Sequence, residues 1–177
     1  MVRRWYFPIT LLMCACVAAG SAQAAKKNDA AKKSEAAKKE AVAWLDTNAE
    51  QFNKAAEAVF GFAETAFLEY KSSAYLADML EREGFTVEHG VAGIPTAFVA
   101  TYGSGKPVVG ILAEYDALPG LSQKGGVSKL ETIESGLPGH GCGHNLFGAG
   151  SVAGAIALKT VMQKQGIAGT VKLYGCP

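Results

Sequence analysis

The sequence predicts an α/β fold in which a mixed sheet is flanked by helices. Apolar residues recur at helical spacing over residues 41–59 and again over residues 73–84, where Gly84 ends the second helix. Short β-rich runs follow, and an Ala/Gly-rich stretch at residues 146–164 then predicts a third helix before a last strand at residues 170–174. Strand and helix patterns that alternate in this way are typical of α/β domains.

The first 24 residues are predicted to be a secretory signal peptide. Arg3 and Arg4 precede an apolar run over residues 5–20, and the small residues Ala22 and Ala24 flank Gln23 just before the expected cleavage point. We therefore expect a periplasmic or secreted protein that begins at residue 25. A non-cleaved membrane anchor is the alternative, which the shortness of the apolar run disfavours.

A charged Ala/Lys-rich linker is predicted at residues 25–40. Its lysine pairs are interleaved with acidic residues and no aromatic residue accompanies them, so the segment is either a solvated tether or the frayed start of a helix. Removal of residues 1–24 takes two arginines and no acid, which leaves a net charge of −1 at pH 7. No nucleic-acid partner is expected for a chain with this charge balance.

The middle of the chain predicts strands at residues 85–88, 96–102 and 108–112. The Gly- and Pro-containing residues 103–107 predict a hairpin between the last two, and residues 108–112 are apolar without alternation, as in a strand buried on both faces. Glu114 and Asp116 follow directly, where polar residues at the end of a buried strand often form a site. The long polar loop over residues 120–139 is also typical of functional segments.

The densest group of chemically versatile side chains is His140, Cys142 and His144. Thiolate and imidazole are ligands that borderline divalent metals prefer, and in an extended segment Cys142 and His144 would point the same way. Several alternatives remain open from the residues alone: a buried Cys beside a packed His, a closed structural zinc site, a Cys142 nucleophile activated by His144, and a disulfide between Cys142 and Cys176.

Two segments in this order resemble the aminoacylase and carboxypeptidase-type metallopeptidase family, in its amidohydrolase branch. They are residues 110–120, which read GILAEYDALPG, and residues 139–146, which read GHGCGHNL. The resemblance extends over residues 41–177 and implies that they form the N-terminal part of a di-metal, exopeptidase-like catalytic domain. It also implies a smaller dimerisation domain later in the chain of family members.

The resemblance carries metal-ligand roles over to Cys142 and His144, and it implies two divalent ions, Mn or Zn, in a full-length protein. Peptidase relatives have a ligand His where this chain has Glu114, so direct ligation by Glu114 is not expected. Glu114 and Asp116 are instead expected to support the ligands from outside the ligand shell.

Two further motif residues have expected roles near the metal. His140 is expected to orient the ligand shell or to touch substrate. Many relatives have Asp after the motif histidine, whereas this chain has Asn145, as the aminobenzoyl-glutamate and dipeptidase-like members do. Asn145 is therefore expected to support the site in the same position.

The activity that the resemblance implies is hydrolysis of the amide in an N-acyl or aminobenzoyl amino acid, by a homodimer or a paired subunit. Family members continue after the position of Pro177 into an acidic pair that contains the general-base Glu. The chain is therefore expected to be a truncated, inactive fragment with no catalytic acid of its own. The alternative is an exported, noncatalytic metal-binding or interaction module.

Overall fold

The computed structural model describes residues 10–177, and the chain divides into two compact units, Met1–Glu40 and Ala41–Pro177. Helix α1 spans Thr10–Phe62, so residues 25–40 are helical, and their role as a linker stays a prediction. The predicted signal peptide begins outside the described residues, and its cleavage stays a prediction.

The second unit contains three helices, one short 3-10 turn and a four-stranded sheet. Its elements are the C-terminal part of α1, α2 (Tyr70–Arg82), β1 (Thr86–His89), a 3-10 turn (Val91–Gly93), β2 (Phe98–Ser104), β3 (Val108–Glu114), α3 (His144–Gln165) and β4 (Gly169–Cys176). The sheet order is β1-β2-β4-β3, with β4 antiparallel to β2 and parallel to β3. The predicted mixed α/β architecture is confirmed.

The predicted apolar stripe of α1 faces the core of the second unit. Phe52, Ala56 and Val59 are buried, as the helical spacing indicated, and Val59 is completely inaccessible to solvent. Ala63 then takes a positive φ of 46°, which ends the helix, and Ala63 N–H donates to Val59 O at 3.2 Å.

The start of α2 is stabilised by a carboxylate from the segment that links it to α1. Glu64 accepts hydrogen bonds from the backbone N–H groups of Lys71 at 3.0 Å and Ser72 at 2.8 Å. These donors have no partner within the helix, and a negative charge is favoured at a helix N-terminus. The predicted start at residue 73 is late, because the carboxylate that accepts these first N–H groups comes from Glu64, outside the helical pattern.

The predicted hairpin between β2 and β3 is wrong. β4 lies between them, so that Ala100 pairs with Leu173 and Leu173 pairs with Ile111. The chain does reverse direction at residues 103–107, as the Gly/Pro pattern indicated. A local turn pattern cannot show that a strand from the end of the chain will insert between its two neighbours, because that pairing depends on contacts distant in sequence.

The prediction that β3 is buried on both faces is also wrong. Val108 and Leu112 are each 56% exposed. Among the described residues β3 is an edge strand, and the buried core residues Ala113 and Leu173 lie on one face of the sheet only. β3 is therefore apolar on both faces, although only one of its faces is buried among the described residues.

Helix α3 packs against β3 and β4 and ends where the sequence predicted, since Gly166 adopts the left-handed conformation with φ of 62°. Its length and composition would allow it to cross a membrane, but 56% of its apolar window is buried inside the fold, as in a core helix. At Gly148 the helix approaches the end of β3 so closely that an added Cβ would lie 2.8 Å from Glu114 O.

Candidate metal centre

His144 lies between two carboxylates at the junction of β3 and α3. Its Nδ1 is 2.5 Å from Oδ1 of Asp116, and its Nε2 is 3.0 Å from Oε2 of Glu114. The side chains of His144 and Asp116 are only 21% and 18% exposed, whereas that of Glu114 is 39% exposed. The structure therefore brings together three of the residues that the sequence predicted for the site.

Tyr115 explains why both carboxylates reach the same histidine. Its ring is fully buried, stacks on Phe98 at 6.0 Å between centroids, and its hydroxyl donates to Thr96 O at 2.6 Å. Burial, as the main cause, raises the pKa of Tyr115 well above its usual value. Because side chains alternate along an extended segment, the anchored Tyr115 turns Glu114 and Asp116 away from the core.

The contact with Asp116 suits a metal-ligating histidine. Such histidines commonly donate one ring N–H to a carboxylate, which fixes the ring and leaves the other nitrogen free to bind the ion. Here Asp116 occupies Nδ1, so Nε2 is the nitrogen that can ligate. An ion at Nε2 would have to replace the present contact with Glu114.

Cys142 lies in a turn and not in an extended segment. Gly143 adopts a positive φ of 90° and α3 begins at the next residue, so the expected common direction of Cys142 and His144 does not follow from strand geometry. Cys142 and Cys176 are both free thiols. Within residues that the structure describes, no group of three or more His, Cys, Asp or Glu side chains is arranged to hold a metal ion. The donor types fit a divalent ion, but the set is partial.

His140 contacts helix α1. Its Nε2 lies 3.0 Å from Val59 O, to which it can donate, and its ring stacks on Phe60 at 6.0 Å between centroids. Burial lowers the pKa of His140 below its usual range, which favours the neutral ring. Its Nδ1 is buried and has no hydrogen-bond partner in the described part of the chain. His140 thus fastens the motif loop to α1.

Asn145 has a similar anchoring contact. It is 7% exposed, and its Nδ2 donates to Ala56 O at 3.2 Å. A carboxylate in this position could not donate that hydrogen bond. Asn145 therefore ties the first turn of α3 to α1.

A cavity beside the motif was not foreseen from the sequence. It has a volume of about 1000 Å³ and lies between the end of α1, the loop over residues 120–139 and the first turn of α3. Asn53 and Glu57 of α1 line it. Only the length of the loop over residues 120–139 hinted at a functional cavity in the sequence. The apolar stripe of α1 does not show which of the polar residues next to it will face a cavity.

Known proteins are similar to this chain in sequence and in fold. No family model matches the chain. It is 44% identical over 133 residues to a subunit of the p-aminobenzoyl-glutamate hydrolase of Escherichia coli, covering 75% of this chain and 28% of that protein. It is 34% identical over 116 residues to thermostable carboxypeptidase 2 of Saccharolobus solfataricus, covering 64% of this chain and 28% of that protein. The chain thus spans somewhat over a quarter of these relatives' length.

Solved structures show the same architecture. A dinuclear metal-binding peptidase of the M20 family from Bacillus subtilis superimposes with a TM-score of 0.59 at 21% identity, over 71% of this chain and 34% of that chain. The sequence similarity, together with the shared fold, defines the class of α/β metallohydrolases. Within that class, the chain belongs to the aminoacylase and carboxypeptidase-type metallopeptidase family, in its amidohydrolase branch.

Proposed function

We propose that this chain contributes part of the metal site of an amidohydrolase that cleaves N-acyl or aminobenzoyl amino acids. The observation that carries the proposal is the position of His144, whose Nδ1 is held by Asp116 while its Nε2, now 3.0 Å from Glu114, is the nitrogen that an ion could take in place of that contact. The 44% identity to one subunit of a p-aminobenzoyl-glutamate hydrolase supports the substrate class.

In this proposal Cys142 and His144 hold a divalent ion, Mn or Zn. A bound ion would act as a Lewis acid that polarises the amide carbonyl and makes water more acidic. Asp116 keeps the Nδ1 proton of His144 in place, and Glu114 supplies negative charge beside the ion. His140 and Asn145 hold the motif loop and the start of α3 against α1, so that the ligands keep their positions.

We also propose that the 177-residue chain by itself is inactive. Among the described residues no group of three or more His, Cys, Asp or Glu side chains is arranged to hold a metal ion. Loss of a proton shuttle alone typically lowers a rate by about 10²–10⁴-fold. For a protein as long as the relatives, we propose a site with two ions and assembly as a homodimer or with a paired subunit. We also propose that the protein is exported from the cytoplasm.

The test combines metal binding with hydrolysis. Titration calorimetry of the purified chain with Zn²⁺ and Mn²⁺ is compared with the Cys142→Ser/His144→Ala variant, which is expected to lose the uptake. Release of p-aminobenzoate from p-aminobenzoyl-glutamate is then followed for this chain and for the same chain extended along its reading frame beyond Pro177. Equal metal uptake by the variant, or equal turnover by the two chains, would refute the proposal. Metal uptake without turnover in the extended chain would favour a noncatalytic metal-binding module.

A further inference from the structure

The cavity beside the motif adjoins the candidate metal centre. Asn145 and Leu146, which line its wall, directly follow His144 in the first turn of α3. Phe60 and Ile133 supply apolar surface from α1 and from the long loop. A volume of about 1000 Å³ lies at the upper end of the range that small-molecule sites occupy.

Two of the polar side chains in its wall are already used by the protein. Gln123 donates to Lys124 O at 3.1 Å and to Lys129 O at 3.0 Å, and its Oε1 accepts from Glu131 N–H at 3.1 Å. These bonds hold the loop in shape. Asn145 donates to α1 in the same way.

Asn53 and Glu57 differ from these residues. They lie one turn apart on α1, and neither makes a side-chain hydrogen bond or ion pair within the part of the chain that the structure describes. Their hydrogen-bonding groups are therefore available to a ligand. Among the described residues that line the cavity, Glu57 carries the only charge.

The charge of Glu57 selects between the two halves of the proposed substrate. An amino-acid half carries carboxylates, which a wall without basic residues and with one carboxylate would repel. An aromatic acyl half is neutral and apolar, and an amine on its ring can donate a hydrogen bond to Glu57. The wall of the cavity is thus complementary to an aminoaryl acyl group.

We propose that this cavity binds the aromatic acyl group of the substrate, with Glu57 accepting a hydrogen bond from an amine on the ring and with Phe60 and Ile133 packing against the ring. The proposal rests on the proposed amidohydrolase function for its substrate class. The cavity itself is built without either predicted metal ligand, so binding there should not require a metal ion.

The experiment measures binding of two neutral probes, 4-aminobenzamide and benzamide, to the purified chain by titration calorimetry in EDTA. 4-Aminobenzamide is expected to bind more tightly, and Glu57→Gln should weaken its binding by about five- to tenfold while leaving benzamide binding unchanged, since a charge-assisted hydrogen bond becomes a neutral one. Ile133→Ser should weaken both probes. Ile133 is 69% exposed, so this variant should fold.

Glu50→Gln is the matched control. It removes the same charge from α1, at a side chain that is 81% exposed and pairs with Lys54 away from the cavity wall, and it should leave both affinities unchanged. The proposal is overturned if neither probe binds, if Glu57→Gln has no effect, or if 4-aminobenzoate binds as tightly as 4-aminobenzamide. Probe binding that survives in the Cys142→Ser/His144→Ala variant separates this site from the metal site, so that failure of one proposal leaves the other testable.

Discussion

Replacement of Asp116 by Asn tests whether His144 is a metal ligand oriented by its carboxylate partner. The substitution keeps the shape of the side chain and removes its charge at the 2.5 Å contact with Nδ1. Both side chains are mostly shielded from solvent, at 21% and 18% exposed, so the contact is not strongly screened. Loss of an orienting carboxylate typically lowers metal affinity by about 10- to 100-fold, which corresponds to about 1.4–2.7 kcal/mol.

The assay is titration of the metal-free chain with Zn²⁺ under reducing conditions, which keep Cys142 as a thiol. Asp78→Asn is the control, because it removes an equal charge from α2, where Asp78 forms an ion pair with Arg82. Asp116→Asn should weaken binding within the stated range and Asp78→Asn should not. Equal affinities for the parent chain and Asp116→Asn would show that the Nδ1 contact does not support ligation, and the assignment of His144 would lose its structural basis.

Two other features give predictions about stability, each measured by urea unfolding. Gly148→Ala should destabilise the fold by about 1–3 kcal/mol, because its Cβ would press on the end of β3, whereas Gly150→Ala, which has no atom within 4 Å of the new Cβ, should stabilise it by about 0.5–1 kcal/mol. Equal effects at the two positions would contradict the close approach. Tyr115→Phe should cost about 1–2 kcal/mol, because Thr96 O loses its donor. Since folding raises the pKa of Tyr115 above 10.0, the neutral phenol stabilises the fold fully below pH 10 and this contribution is lost as pH rises further; the Phe variant should therefore lose less stability between pH 9 and 11. An identical alkaline slope in both proteins would count against this assignment.

Local sequence patterns predicted the presence of the helices well and their first and last residues less well. The stripe of Phe52, Ala56 and Val59 is buried, and Gly166 ends α3, because helical spacing and a left-handed C-terminal glycine act over a few residues. The start of α2 was placed late because Glu64, which accepts hydrogen bonds from its first N–H groups, lies in the segment that follows α1.

For the candidate site, the sequence likewise indicated the residues but not their arrangement. The residue types of His140, Cys142 and His144 indicated metal chemistry from the sequence, and the resemblance of the two motifs indicated the family and the supporting roles of Glu114 and Asp116. Their arrangement did not follow from spacing, since Cys142 lies in a turn and His144 begins a helix. Anchoring of His140 to α1 also depends on a partner 81 positions away.

The sequence by itself determined the α/β class, the positions of the helices and the chemical types of the candidate ligands, because these depend on periodicity and on side chains that can be read one at a time. Only the tertiary structure decided that β4 inserts between β2 and β3, that His144 meets two carboxylates, and that a cavity opens beside the motif. These features come from contacts between segments far apart in the chain. Their energies depend on which surfaces meet, and no local pattern of residues contains that information.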